Sequence, residues 1–158
     1  MDFGAFGVRS VTVPLYATSS EAQVHYILED ASIRYLFVGE QQQYDVAFRV
    51  MALSSTLKQI VVFDRDVKLD ARDESTIYFD DFLKMGEKRQ HQAEVDKRTA
   101  ESQTDDLMNI LYTSGTTGES KGVMLSHAAY ESVMDAHIER FPGFDENDVV
   151  INFLPFTH

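Results

Sequence analysis

The sequence contains no cysteine. Disulfides, thiolate metal ligands and a thiol nucleophile are therefore excluded from its chemistry. A chain without thiols suits a reducing compartment, and the expected location is cytoplasmic. Long apolar runs are also missing. None approaches the roughly 18 residues that a membrane-spanning helix needs, so no integral membrane segment is expected. The opening MDFGAFGVRS lacks the basic region of a secretory signal. Cations are scarce: 14 Lys and Arg stand against 26 Asp and Glu, a formal net charge of -12. Such a surface repels nucleic acid and anionic lipid, so neither is an expected partner. Any anion has to be bound locally, against the average field. Internal repeats and low-complexity tracts are absent.

What remains is an ordinary globular composition. The 158 residues are 44% hydrophobic and 25% charged, enough for one domain with a core. Strand and helix patterns alternate. Val11–Tyr16 (VTVPLY) reads as a short strand, with Pro14 placing it near an edge or a strand end. Thr18, Ser19, Ser20 and Glu21 form a capping-box pattern. Behind them Val24, Ile27, Leu28 and Ala31 fall on one helical face. Ile33–Gly39 reads as a buried strand closed by glycine. Tyr44, Ala47, Phe48 and Met51 repeat the helical spacing, and Gln59–Asp64 reads as a further strand. Residues 1–64 thus predict β-α-β-α-β, the order of a parallel sheet with crossover helices.

Residues 65–105 are charged and mixed, and read as a connector that includes a short helix at FDDFLKMG. In residues 106–158, Leu107–Thr113 (LMNILYT) is a buried-strand pattern. Gly122–His127 reads as a returning strand. Ser126 can cap a helix with Tyr130, Val133, Met134, His137 and Phe141 on its apolar face. FPGFDEND reads as a turn and VVINFLP as a last strand. The chain stops inside that hydrophobic segment, so it is expected to be a piece of a larger domain. Exposed strand edges and apolar faces in such a piece favour self-association, as a homo-oligomer or a strand-swapped dimer.

Between the two strands of 106–158 lies YTSGTTGESKG, Tyr112 to Gly122. Loops at the ends of strands in open α/β sheets are places where ligands bind. Glycines let a backbone approach an anion and turn N–H groups toward it. Thr113, Ser114, Thr116 and Thr117 add hydroxyls, Gly115 and Gly118 add freedom, and Lys121 adds a compact positive charge. Together they predict a phosphate cradle. It is not a Walker A loop: Ser120 stands where glycine is needed before the lysine, and Gly122 where Ser or Thr is needed after it. A dinucleotide fingerprint and a hydrolase nucleophile elbow are also absent.

The string YTSGTTGESKGVMLSH resembles the signature of the adenylate-forming superfamily, [Y/F]-T-S-G-[T/S]-T-G-x-P-K-G-V followed by x-x-[S/T]-H. Ser120 replaces the usual proline, which alters loop stiffness but not charge or donors. VTVPLYATSS and the stretch after it are similar to the upstream segment of long-chain fatty acyl-CoA synthetases, and FLPFTH to their L-P-x-x-H motif. The resemblance covers most of the chain outside the charged connector. It implies part of the large N-terminal domain of an enzyme that joins a fatty acid to ATP as an acyl-adenylate and transfers the acyl group to coenzyme A. Mg2+ would accompany the ATP. It implies that Thr113 to Gly118 and Lys121 hold the ATP phosphates, and that His158 lies by the acyl substrate and adenylate.

The family's Tyr-Gly-x-Thr-Glu and Thr-Gly-Asp segments and its late catalytic lysine do not occur in these residues. No catalytic residue and no metal ligand is therefore assigned, and the chain alone is expected to be inactive. Two alternatives stay open: an adenylate-forming enzyme for another carboxylic acid, and a stand-alone nucleotide-binding module.

Overall fold

The computed structural model describes residues 2–113, 120–141, 143, 145 and 149. Within them the chain forms helices α1 (Asp2–Gly7), α2 (Glu21–Asp30), α3 (Gln41–Met51), α4 (Phe79–Gly86), α5 (Gln92–Ala100) and α6 (His127–Arg140). The strands are β1 (Tyr35–Val38), β2 (Gln59–Val62), β3 (Thr76–Tyr78), β4 (Leu107–Thr113) and β5 (Lys121–Ser126). The α/β class expected from the alternation holds. Two compact units result: residues 15–94, and residues 1–14 with 95–158.

The unit of residues 15–94 is a parallel sheet in the order β1-β2-β3. Tyr35 pairs with Gln59 and Ile60 with Thr76. Helix α3 is the crossover between β1 and β2 and packs on both, α2 packs on α3, and α4 packs on β2 and β3. The spacing read from the sequence places five of its eight residues inside; Ala31, Phe48 and Met51 are only half-buried, and the buried Val50 is not among those it marks. Val24, Ile27 and Leu28 of α2 are buried, as are Tyr44, Ala47 and Val50 of α3. Ile60, Val61 and Val62 are fully inaccessible, which suits a central parallel strand covered on both faces. The capping box sits two residues later than the sequence suggested. Ser20 Oγ accepts from Gln23 N at 3.3 Å, and Gln23 Oε1 accepts from Ser20 N at 2.9 Å. Ser-x-x-Gln satisfies the motif as well as Thr-x-x-Glu does, and Glu21, in the first turn of the helix, pairs with Arg49 instead.

Two expectations are corrected. Val11–Tyr16 is not a strand of the parallel sheet. Thr12 alone bridges β4, in parallel, through Thr12 N to Met108 O (3.2 Å) and Ile110 N to Thr12 O (3.0 Å). The next rung of that ladder needs an N–H at residue 14, and proline has none. The stretch 65–105 is also more than a connector. It supplies β3, α4 and α5, with Val67 and Thr76 buried. The helix at Phe79–Gly86 is as expected; β3 is the surprise. Its three residues have no periodicity to read, and they are positioned by polar contacts just before them. Asp73 accepts from Ser75 N (2.9 Å), Thr76 N (3.1 Å), Thr76 Oγ1 (2.5 Å) and the Tyr44 hydroxyl (2.8 Å). Tyr44, 1% exposed, also accepts from Asp70 N at 2.9 Å. Burial alone would raise the Asp73 carboxyl, but these donors outweigh it and hold it below the usual carboxylate range.

A second polar clamp joins the end of α2 to the turn before β2. Glu29 accepts from the Ser54 hydroxyl (2.6 Å), the Ser55 hydroxyl and the Ser55 N–H (3.0 Å). Those donors, the two hydroxyls first, hold its carboxyl down at about 2. A carboxyl lowered in the fold contributes stability that is present above its ordinary value of about 4.3 and is lost as pH falls toward the folded value. Replacing Glu29 with Gln is expected to flatten the loss of stability between about pH 4.5 and 2. Urea midpoints of both proteins across that range check it; parallel acid limbs would remove Glu29 from the account.

Candidate functional site

In the unit of residues 1–14 and 95–158, the chemistry-bearing segment rests on an antiparallel pair. Strand β4 is apolar along most of its length, with β-branched or aromatic residues at Ile110, Tyr112 and Thr113. It pairs with β5 from Leu107↔Ser126 to Thr113↔Lys121, with a register irregularity between Leu107 and Asn109. Directly opposed residues share a face of the sheet. One face therefore carries Asn109, Leu111 and Thr113 with Leu125, Val123 and Lys121. The other carries Ile110 and Tyr112 with Met124 and Gly122.

The register brings together two of the predicted phosphate residues. Thr113 and Lys121 are direct partners at the end of the pair that the loop joins, and both are exposed. Lys121 makes no ion pair with the described residues. A free ammonium beside a hydroxyl, in a chain of net charge -12, is a local exception to the prevailing negative field. Ser114, Gly115, Thr116, Thr117 and Gly118 lie outside the described residues, as does His158. The strand expected over VVINFLP falls there too, apart from Val149, which is exposed and in no strand. Among the described residues no group of three or more His, Asp or Glu could hold a metal ion.

Gly122 is required by space. A Cβ there would lie 2.8 Å from Ile110 Cγ2 and 3.2 Å from Tyr112 Cζ. The Tyr112 ring occupies the place of the missing side chain, the cross-strand arrangement in which an aromatic covers a glycine. Ile110 is stiff at its branched carbon and cannot yield cheaply.

The end of the pair away from the loop is held by polar contacts. Arg9 Nε and Arg9 Nη2 each reach Asp106 carboxylate oxygens at 2.8 Å, a two-pronged pair. Asp106 also accepts from Gln103 N at 3.0 Å. The Arg9 bond first and this N–H second hold its carboxyl below the usual range. The start of α6 is fixed to the same place: His127 N donates to Asp106 O at 3.1 Å and Ala128 N to Thr104 O at 2.8 Å. Ser126 caps α6 as expected, its Oγ accepting from Ala129 N at 3.4 Å. The expected apolar face of α6 is largely uncovered: Val133, Met134 and Phe141 are each more than half exposed. Sequence reading placed Tyr130 on the apolar face of α6 but missed Asn109 and the contact between the two. The amide Nδ2 of Asn109 donates to the Tyr130 hydroxyl at 2.7 Å. The available signal was an asparagine inside an otherwise apolar strand.

The AMP-binding enzyme profile matches residues 1–158. The chain belongs to the AMP-binding enzyme family. Among curated relatives, long chain acyl-CoA synthetase 5 of Arabidopsis thaliana is 32% identical over 157 residues, 92% of this chain and 22% of the relative. The human long-chain-fatty-acid–CoA ligase ACSBG2 is 28% identical over 157 residues, 98% of this chain and 23% of the relative. The chain thus spans under a quarter of the length of these synthetases. Among solved structures, a putative long-chain-fatty-acid CoA ligase from Rhodopseudomonas palustris aligns with TM-score 0.68 and 12% identity, over 100% of this chain and 35% of that one. ATP-bound MatB from the same organism aligns with TM-score 0.62 and 23% identity, over 99% of this chain and 27% of that one. At such identities the structural likeness establishes the α/β fold of this AMP-binding chain.

A methyl group at position 122 has nowhere to go. Gly122→Ala is expected to cost about 1–3 kcal/mol, the usual range for overpacking. Urea unfolding followed at the β4–β5 unit measures it, and an unchanged midpoint would mean that Tyr112 moves aside freely.

Proposed function

We propose that this chain supplies the phosphate-binding part of an ATP-dependent, AMP-forming acyl-CoA synthetase acting on long-chain fatty acids in the cytoplasm. The observation that carries the reading is the pairing of Thr113 with Lys121 at the ends of YTSGTTGESK, inside a chain of the AMP-binding family. The names of its curated relatives support the fatty acid and coenzyme A.

The chemistry explains why such a cradle is needed. A carboxylate resists acyl transfer because its leaving group would be oxide. Attack of a carboxylate oxygen on the α-phosphorus of ATP expels pyrophosphate and forms an acyl-adenylate. A thiol then attacks the carbonyl carbon, AMP departs, and a thioester remains. The first step brings two anions together, so positive charge and aimed donors must offset their repulsion. Lys121 and the hydroxyls and N–H groups of Thr113–Gly118 would meet the β- and γ-phosphates. Mg2+ would arrive with ATP and share the same charge, and His158 would lie toward the acyl group. Other carboxylic acids are the second reading. A solved anthranilate CoA ligase shares the fold at TM-score 0.64 and 23% identity, and the described residues contain no acyl pocket to separate the two.

Lys121→Ala is expected to weaken ATP binding by about tenfold or more, the effect of losing a charge-assisted contact of about 1.5–3 kcal/mol. Isothermal calorimetry on the chain reads this directly, and equal affinity in both proteins would end the phosphate role of Lys121. Self-association belongs to the same reading. Met124, Val133, Met134, Ile138 and Phe141 are all more than half exposed, and an apolar surface of that kind favours association. Light scattering at micromolar concentration is expected to give a dimer or larger species; a monomer mass would contradict it.

A further inference from the structure

Among the described residues of the unit formed by 1–14 and 95–158, Asn109 is the one that is buried. It is 8% exposed, while its neighbours along β4 are all intermediate or exposed. The most enclosed position of the unit is thus held by an amide. Its Nδ2 is satisfied by the Tyr130 hydroxyl at 2.7 Å, and its Oδ1 has no partner among the described residues. Turning the amide over would only exchange the orphan, because Nδ2 would then lack an acceptor. A buried unpaired acceptor costs about 1–3 kcal/mol, and an apolar side chain of similar shape avoids that cost. Apolar packing, by contrast, is sparse here: on β5 Val123 is 44% and Met124 71% exposed. Helix and strand pair are therefore oriented by directed bonds.

We infer that Asn109 is a positioning residue, acting through the Tyr130 hydroxyl to hold α6 against β4 and so to fix the strand register that sets Thr113 opposite Lys121. The path is short. Tyr130 lies in the first turns of α6, α6 begins directly after β5, and β5 carries Lys121 at its far end. Asn109 lies on the same sheet face as Thr113 and Lys121. Dispersive contacts tolerate sliding, whereas one hydrogen bond to a hydroxyl in a fixed place does not. The consequence for ATP rests on the phosphate reading proposed above; the consequence for the strand pair does not.

The decisive variant is Tyr130→Phe, which removes one oxygen and keeps the ring. Amide hydrogen exchange followed by NMR is expected to quicken about tenfold across β4 and β5, the factor for losing a hydrogen bond of about 1.4 kcal/mol. Amides of β1 and β2 should be unaffected. Asn109→Leu should quicken the same amides while leaving the global unfolding midpoint equal or higher, because the orphaned oxygen is gone. A double variant no faster in exchange than the worse single one would show that both residues act through one bond. Unchanged β4–β5 exchange in Tyr130→Phe overturns the inference. If the parent chain binds ATP, Tyr130→Phe should also weaken it about tenfold, and unaltered affinity equally overturns the positioning role. If the parent chain binds no ATP, the phosphate reading fails, and exchange alone decides the role of Asn109.

Discussion

Everything proposed for this chain depends on the register of one antiparallel pair. Sliding β5 by a single residue would turn Lys121 to the opposite face and set a residue with a side chain against the Tyr112 ring. The fit of that ring over Gly122, with Ile110 against the same site, makes the observed register the one that space permits. The Arg9–Asp106 pair and the backbone bonds into α6 hold the other end. A lysine at a strand end is set opposite a threonine by sterics one residue away and by charge at the other end of the pair.

The two units are built on different terms. Residues 15–94 enclose Leu28, Val50, Ile60, Val61 and Val62, and polar groups such as Asp73 and Glu29 trim the edges of an apolar core. Among the described residues, 1–14 with 95–158 enclose an asparagine and otherwise rely on ion pairing, capping and backbone bonds. The proposed phosphate-binding residues sit on the second kind, where Thr113 and Lys121 stay open to solvent. Openness at such a site is expected, since a segment that must receive a large anion cannot be sealed by its own packing.

Much of this was readable because the physics is local. The faces of α2 and α3 follow from helical spacing, β2 and β4 from apolar runs, and the α6 cap from Ser126. The family signature is a contiguous string, so it too was visible. What escaped depends on partners distant in sequence. Strand β3 exists because Ile60 pairs with Thr76 and because Asp73 gathers Tyr44, Ser75 and Thr76. Val11–Tyr16 looked like a strand by composition, but the missing N–H of Pro14 decides only once its partner strand is known. The sequence pattern puts the capping box at Thr18 to Glu21, and the one that forms, at Ser20 and Gln23, was not anticipated. Within the site, Thr113 and Lys121 were named from the string, but their pairing, the reason for Gly122 and the contact between Asn109 and Tyr130 are facts of the fold.

The buried phenol of Tyr44 gives the first unit an optical marker. The sequence has no tryptophan and 7 tyrosines, so tyrosine dominates its near-ultraviolet absorption. Burial, more than any neighbour, pushes the Tyr44 hydroxyl up to about 12. In the unfolded chain the same group would ionise near its ordinary value of about 10. Between those values the folded unit keeps a proton that the unfolded chain gives up, and the unit loses stability as pH rises. Phenolate absorption from Tyr44 in that interval therefore reports the opening of the parallel sheet, in a chain whose other unit carries the proposed phosphate-binding residues.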